Sequence, residues 1–399
     1  MARKLPKLAF FRAPQSITLP AVGLSYQSGV PNSNDGHISE HFLTNTLVGN
    51  SGNMIHRMAM VQMVNCDRHH SSQINIFKLI KKAGSPKLAA KKLNGRFDGV
   101  VITLANILRR GAQEPGIGEL VRNLRIPVYC VGMGLQDDLP EGDFSDLNPN
   151  VVDLVRALDE HAVLFGTRGD RTLAWLRTIG VKNAKSIGCP SMFAYPRNTL
   201  SISAPERTEK IMTAGHLSLT SNQDSSGQKL MKGLSGKKAA YVFQSETSVL
   251  KRLEGEPLAY NEASQTLNHD MVSKLIHDEC KVTPPFSKYY SFSEVSAWRQ
   301  AALQYDLYAG DRIHGGVAAM QVGQPALVLH ADTRVQELTS HHGIPSCSLD
   351  EFAKIGVDAA VEKYLNEQSI SDFHEVYRGA LANFEHHVNE AGLSLLNRL

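Results

Sequence analysis

The chain has 399 residues, 42% hydrophobic and 20% charged, with 31 Gly and 17 Pro; at roughly 150 residues per domain this reads as a globular chain of two domains or three, and the usage excludes collagen, coiled coil and wholesale disorder. Lys and Arg total 42 against 39 Asp and Glu, leaving +3, too little to hold nucleic acid by bulk charge, so an anionic partner has to be met by a local cluster. Five cysteines are an odd number without a Cys-x-x-Cys pair, which points to a reducing compartment rather than a disulfide framework or zinc knuckle.

Taken in chain order, the start Met1 to Phe11 is interrupted by Pro6 and makes no secretory leader, and no apolar run reaches the about 20 residues of a membrane helix. A cytoplasmic location is expected. From Phe97 the sequence alternates β and α patterns. Residues 98–104 form a continuous apolar run, as in a strand buried on both faces, and 126–131 form a second, ending in Gly132-Met133-Gly134. Apolar residues at 151, 152, 154, 155 and 158 have helical period. A strand at 162–165 follows, then a helix over 172–179 with Asp170 as its N-cap and Gly180 as its stop.

The stretch 195–210, with two prolines and no period, reads as a domain junction, and the polar stretch 220–238 as a mobile loop. A second series comprises a strand at 239–243, a helix over 292–304, a strand at 306–309, a helix from near His314 and a strand at 326–330. Residues 373–399 read as a terminal helix packed across one domain or both. Strands separated by helices imply parallel pairing and right-handed crossovers. The expected fold class is therefore α/β: an N-terminal domain over 1–200, a C-terminal domain over 201–375 and a closing helix over 376–399. Ligands belong in the cleft at the carboxyl ends of the strands.

The most informative stretch is Asp306 to Met320, followed by Gly323-Gln324-Pro325. In an extended loop Arg312 and His314, two apart, face one way and converge on one ligand. Gly315 and Gly316 remove side chains where a backbone must come close, and free amides at a helix start favour an anion. Arg offers that anion a fork, and His holds or releases a proton near neutral pH. The plainer alternative is that Arg312 pairs with Asp311 or Asp306 and His314 caps a helix.

With these residues the sequence resembles the polysaccharide pyruvyl transferase family, in which a strand leads to an Arg-x-His-Gly loop, a small-residue helix and Gly-x-Pro. The segment from Phe165 through Arg168 and Thr172 to Gly180, the loop Gly188-Cys189-Pro190-Ser191 and Asn50-Ser51-Gly52-Asn53 are similar to further motifs of that family, the resemblance running over residues 45–350. Three positions depart from it. Thr103 to Asn106 stand where a glycine-rich turn is frequent, Gly169 where an acidic residue follows the Arg, and Asn53 where Asp is usual.

The resemblance implies two Rossmann-like domains facing across a cleft, similar to GT-B glycosyltransferases. It implies phosphoenolpyruvate as donor and, as acceptor, a sugar with two nearby hydroxyls on a glycan or lipid-linked oligosaccharide at the cytoplasmic membrane face, giving a cyclic pyruvate ketal. Neither cofactor, metal nor nucleic acid is called for. Arg168, Arg312 and His314 match the positions the family uses for phosphoenolpyruvate; Gly315, Gly316, Asn53 and Glu337 complete the expected substrate contacts. His314, protonated beside bound phosphate, suits a cation or general acid, with Asp311 and Glu337 as candidate bases. A glycosyltransferase with a nucleotide-sugar donor and a non-catalytic anion-binding module are the alternatives.

Other features read as structural. His37 and His41 have the i, i+4 spacing of a metal pair but no third ligand, and suit a solvated helix face. The doublets His69-His70, His341-His342 and His386-His387 read as surface. Cys189 lacks an adjacent His to activate it and reads as packing, and Gly132-Met133-Gly134 lacks the rest of a dinucleotide fingerprint.

Overall fold

The computed structural model describes residues 4–11, 50–136, 139–246, 249, 252, 260–261, 266–292 and 295–396; His37 and His41 lie outside them. The first half alternates β1 (Leu8–Phe11), α1 (Gly52–Met63), β2 (Ser72–Ile74), α2 (Ile76–Ala83), α3 (Pro86–Asn94), β3 (Gly99–Thr103), α4 (Ile117–Asn123), β4 (Val128–Met133), α5 (Pro149–His161), β5 (Ala162–Thr167), α6 (Asp170–Thr178) and β6 (Ala184–Ser186). These strands make a parallel sheet in the order β2-β1-β3-β4-β5-β6. Every residue of β3 and β4 is buried, as expected of strands covered by helices on both faces.

The chain then crosses through α7 (Pro196–Thr199) to β7 (Ile211–Thr213), α8 (Ser226–Gly233), β8 (Ala239–Phe243), the pair β9 (Tyr260–Asn261) and β10 (Thr266–Leu267), α9 (His269–Cys280), β11 (Phe286–Ser291), α10 (Val295–Ala302), β12 (Leu307–Gly310), α11 (Ile313–Met320), β13 (Ala326–His330), α12 (Thr333–His342), β14 (Ser346–Ser348), α13 (Leu349–Tyr364) and α14 (Glu367–Glu390). The second parallel sheet has the order β11-β8-β7-β12-β13-β14. Counted within this half the order is 3-2-1-4-5-6, the doubly wound arrangement, which reverses between β7 and β12. The fold is thus α/β with two Rossmann-like units.

Three expectations are corrected. Gly169, extended at φ −175°, is the N-cap of α6, and Asp170 is its first residue. Residues 220–238 are not simply a loop: the Ser225 hydroxyl accepts from the Gln228 amide and starts α8, whose Leu230 and Met231 are buried. Two apolar side chains among Ser, Gln and Lys give too faint a period to mark a helix. The terminal helix starts at Glu367, with Asn366 accepting from the Ser369 amide, and ends at Glu390.

Helix α14 ties the halves together. Its Asn383 side chain donates to the Ser186 carbonyl at 2.9 Å and Tyr377 to that of Met192 at 2.8 Å, and Phe384 stacks on Phe193 at 4.6 Å. Each such buried ring contributes about 1.5–3 kcal/mol. Beyond the helix the chain returns to α1, with the Leu396 amide donating to Met63 and that of Asn65 to Ser394. All five cysteines are buried and free of disulfides. Among the described residues no helix is long and apolar enough to cross a membrane.

Candidate active site

The carboxyl ends of both sheets face one cavity of about 650 Å³. Asn53 and Arg57 reach it from the first turns of α1, Thr103, Ala105 and Asn106 from the end of β3, and Arg168 from the end of β5; His216, Gln244, Ser245, Arg312, His314 and Arg334 reach it from the second half. A shallower hollow of about 820 Å³ lies at the amino ends of β7, β12 and β13, beside Lys210, Asp306 and Pro325, away from where the charged groups meet.

Arg168 is 3% exposed. Its Nη1 donates to the Asn106 side chain and its Nη2 to the Gly132 carbonyl at 3.3 Å, while Nε has no partner among the described residues. Gly134 makes room for it: a Cβ there would stand 2.2 Å from that Nε. Residues Gly132 to Gly134 therefore seat a guanidinium rather than a dinucleotide, and Asn106, in the turn where glycine was the family expectation, orients it. Burial holds the Arg168 pKa below its usual range.

Arg312 is the N-cap residue of α11, and His314 lies in the helix's first turn. The extended loop of the sequence reading is thus replaced by a helix start, which still turns both side chains to the cavity. Arg312 pairs with neither Asp311 nor Asp306. Its Nη2 donates to the Ser245 hydroxyl at 2.9 Å and to the Glu246 carboxylate at 3.0 Å, and Glu246 is itself fixed by the amides of Gln244 and Ser245. Asp306 instead accepts the amides of Glu209 and Lys210. Asp311 is turned from the cavity; its Oδ2 stands 3.1 Å from His216 Nδ1.

The glycine pair has a packing role that the sequence reading did not foresee. The Gly315 amide is taken by the Arg312 carbonyl at 2.9 Å, and a Cβ there would strike the Tyr308 ring at 2.5 Å; at Gly316 it would meet Val328 at 3.0 Å. Both face the sheet, letting α11 lie close upon β12 and β13, and the Gly315 amide is not free for a ligand. Glu337 also lies off the cavity. Its carboxylate accepts the amide of Thr172 at 2.7 Å and its hydroxyl at 3.0 Å, capping α6 from the other half, so both of its oxygens are engaged there.

The His314 ring is held well below the ordinary imidazole pKa, by burial first and then by His56, Arg168, Arg334 and Arg312. It is therefore neutral in the free site, burial and its positive or potentially positive neighbours acting in the same direction; the cationic role expected of it belongs to the ring beside bound phosphate. His56 lies 5.9 Å away, ring to ring, with its pKa lowered to about 3, chiefly by burial and next by Arg168. Its Nε2 meets the Leu104 carbonyl, an acceptor, which leaves Nδ1 to accept from the Cys189 thiol at 3.2 Å. Cys189 thus has a histidine neighbour after all, one too buried to become the imidazolium that activates a thiolate. His342 is likewise no surface residue: it is fully buried, and its Nε2 accepts the Cys189 amide at 3.0 Å.

His56, Cys189 and His314 bring three ligand atoms within 4.8 Å of one another, a donor set of the kind zinc takes. Arg168 beside them opposes a second positive charge, and the same surroundings favour an anion.

Asn53 lines the cavity near Arg57, one helical turn on. Sequence reading missed Arg57, Arg334 and His216. The i, i+4 spacing of Asn53 and Arg57 was a usable signal. His216 follows β7, whose three residues are too short for a periodicity signal, and Arg334 is the second residue of a helix capped by Asp332. Burial lowers the Arg57 pKa to about 10.

Two doubly wound sheets whose strand ends face one arginine-lined cavity define an α/β protein of two Rossmann-like units. A family model described as polysaccharide pyruvyl transferase matches residues 50–332, well over half of the sequence. The chain belongs to the polysaccharide pyruvyl transferase family and is a transferase acting on polysaccharides. Among solved structures it is similar to Anabaena HepE in complex with UDP-glucose, at 16% identity with 97% of each chain covered and a TM-score of 0.46. It is also similar to a UDP-N-acetylglucosamine 2-epimerase, at 11% identity, 98% and 96% coverage and a TM-score of 0.46, and to a trehalose 6-phosphate synthase of Burkholderia multivorans, at 11% identity, 81% and 78% coverage and a TM-score of 0.47. No curated protein matches the chain.

Proposed function

We propose that the protein transfers the enolpyruvyl group of phosphoenolpyruvate to two hydroxyls of a sugar in a polysaccharide or its precursor, releasing phosphate and leaving a cyclic pyruvate ketal. The observation that carries this reading is the meeting of Arg168 and Arg312, one from each half, with Arg57 and Arg334 around one cavity of about 650 Å³. Phosphoenolpyruvate crowds a carboxylate and a phosphate onto adjacent carbons, and guanidinium forks bind such groups in two-point contacts. In this reading Arg168 and Arg312 clamp the donor across the cleft. Neutral His314 hydrogen-bonds it, and Asn53 meets the acceptor, which enters on the N-terminal side. Residues 1–200 then serve the acceptor and 201–375 the donor, in a cytoplasmic enzyme working on a glycan or lipid-linked oligosaccharide. Clamping from both halves makes the chemistry wait for closure.

The atoms balance without a further reactant. C3 of the donor gains a proton, one sugar hydroxyl adds at C2, phosphate leaves with a proton, and the second hydroxyl closes the ketal. Calorimetric titration of the full chain with phosphoenolpyruvate and, separately, UDP-glucose tests the donor. The acceptor test is a panel of p-nitrophenyl glycosides, read by phosphate release and by a product heavier by pyruvic acid less one water. Heat with UDP-glucose and none with phosphoenolpyruvate would assign the site to a nucleotide sugar instead.

A further inference from the structure

We propose that His216, oriented by Asp311, is the proton-transfer residue of this cleft, an assignment that rests on the pyruvyl-transfer reading above. The pair sits where the strand order of the second sheet reverses. Strands β7 and β12 are neighbours there, with Leu307 opposite Ile211 and Tyr308 opposite Met212, and their following loops carry His216 and Asp311. Such a reversal parts the loops and is where open α/β sheets bind ligands. One oxygen of Asp311 serves His216 twice, standing 3.1 Å from its Nδ1 and accepting its backbone amide at 3.3 Å.

The two partners differ in solvation. The Asp311 side chain has no exposed surface, whereas that of His216 is 38% exposed and lines the cavity. Nδ1 is the ring nitrogen beside the carboxylate, so the proposal places the proton exchange with a ligand on Nε2. Around the pair stand Arg312, ion-paired to Glu246 at 3.0 Å, and the buried hydroxyls of Tyr241 and Tyr308, whose ionisation burial opposes. His314, kept neutral by burial first and then by His56 and the arginines around it, is a poor proton donor by comparison. Arrangement of an imidazole by a buried carboxylate is the general logic of a supported acid and base.

One group suffices for the whole cycle. Protonated His216 gives its Nε2 proton to C3 of phosphoenolpyruvate and takes one back from the first hydroxyl as the oxygen bonds to C2. It passes that proton to the bridging oxygen as the C2–O bond to phosphate breaks. It then accepts the proton of the second hydroxyl as the ketal closes, which restores the starting state. Asp311 stabilises each imidazolium and is a positioning residue.

The test uses the full chain with phosphoenolpyruvate and the glycoside accepted in the panel above, with donor affinity measured separately by calorimetry. His216→Gln is expected to lower kcat roughly 10²- to 10⁴-fold while the donor Kd stays within about threefold, and to remove one limb of the pH profile. Asp311→Asn lowers kcat with KM held, and added imidazole restores turnover to His216→Ala. Turnover of His216→Gln at the wild-type rate overturns the proposal, as does a fall in turnover matched by an equal fall in donor affinity. A wild-type chain that neither binds phosphoenolpyruvate nor releases phosphate from it overturns the pyruvyl-transfer reading itself, a result separable from either of these.

Discussion

Glu337 accepts two hydrogen bonds from Thr172, 165 positions earlier in the chain, through the amide at 2.7 Å and the hydroxyl at 3.0 Å. The Thr172 amide is one of the donors that the first turn of α6 leaves unsatisfied, and here the cap comes from α12 of the opposite half. The acidic charge that the family places next to the arginine is supplied near Arg168 from another helix. Replacing Glu337 with Ala strands both donors of Thr172 and is expected to cost about 1–3 kcal/mol, read as a lower urea midpoint; an unchanged midpoint would show that the clamp contributes nothing.

Gly169 has to be glycine because of that same carboxylate. A Cβ at Gly169 would stand 2.6 Å from Glu337 Cγ, so Gly169→Ala is expected to destabilise by about 1–3 kcal/mol through overpacking. In a Glu337→Ala background the clash is gone and the penalty should shrink by more than half. Equal penalties in the two backgrounds, measured by a double-mutant cycle, would refute the steric cause.

Arg312 is tied to buried Glu246, which separates two substitutions. Arg312→Lys keeps the charge but loses the fork, and phosphoenolpyruvate affinity is expected to fall about tenfold or more with circular dichroism unchanged. Arg312→Ala leaves Glu246 buried and unpaired, and should in addition lower thermal stability by about 3–5 kcal/mol. Calorimetry for the donor and thermal melts for the fold distinguish them, and equal donor affinity in wild type and Arg312→Lys would remove Arg312 from the clamp.

Stability should fall with acid because of His56. Its folded pKa of about 3 lies below the ordinary 6.5, so between these values the unfolded chain binds the proton first. The contribution is whole above pH 6.5 and is lost as the pH falls toward 3, at up to about 1.4 kcal/mol per pH unit for one ring. His314 and His342, shifted the same way, steepen the slope. Urea unfolding at pH 7, 6 and 5 measures it; a slope that His56→Gln leaves unaltered would show that His56 is not its source.

Much of this molecule was legible before folding. The runs at 98–104 and 126–131 declare strands buried on both faces, because only apolar side chains tolerate helices above and below. Their alternation with helices leaves parallel sheets as the solution. Arg168, Arg312 and His314 stand at strand ends for the same reason, and all three line one cavity. Helix α8 was not legible, since only Leu230 and Met231 of its buried residues carry large apolar side chains.

Local sequence therefore determined the two sheets, the family and the arginines that face the cleft, because strand burial and Arg-x-His-Gly spacing are properties of short segments. What Gly169, Gly315, Glu337 and Asp311 do was decided only by tertiary structure. Each is defined by a partner far along the chain: a carboxylate in the way of a Cβ, a tyrosine ring beneath a helix, an unsatisfied amide, an imidazole at a strand end. Burial then sets the protonation of His56 and His314, and no pattern of neighbours in sequence encodes how much water a side chain keeps.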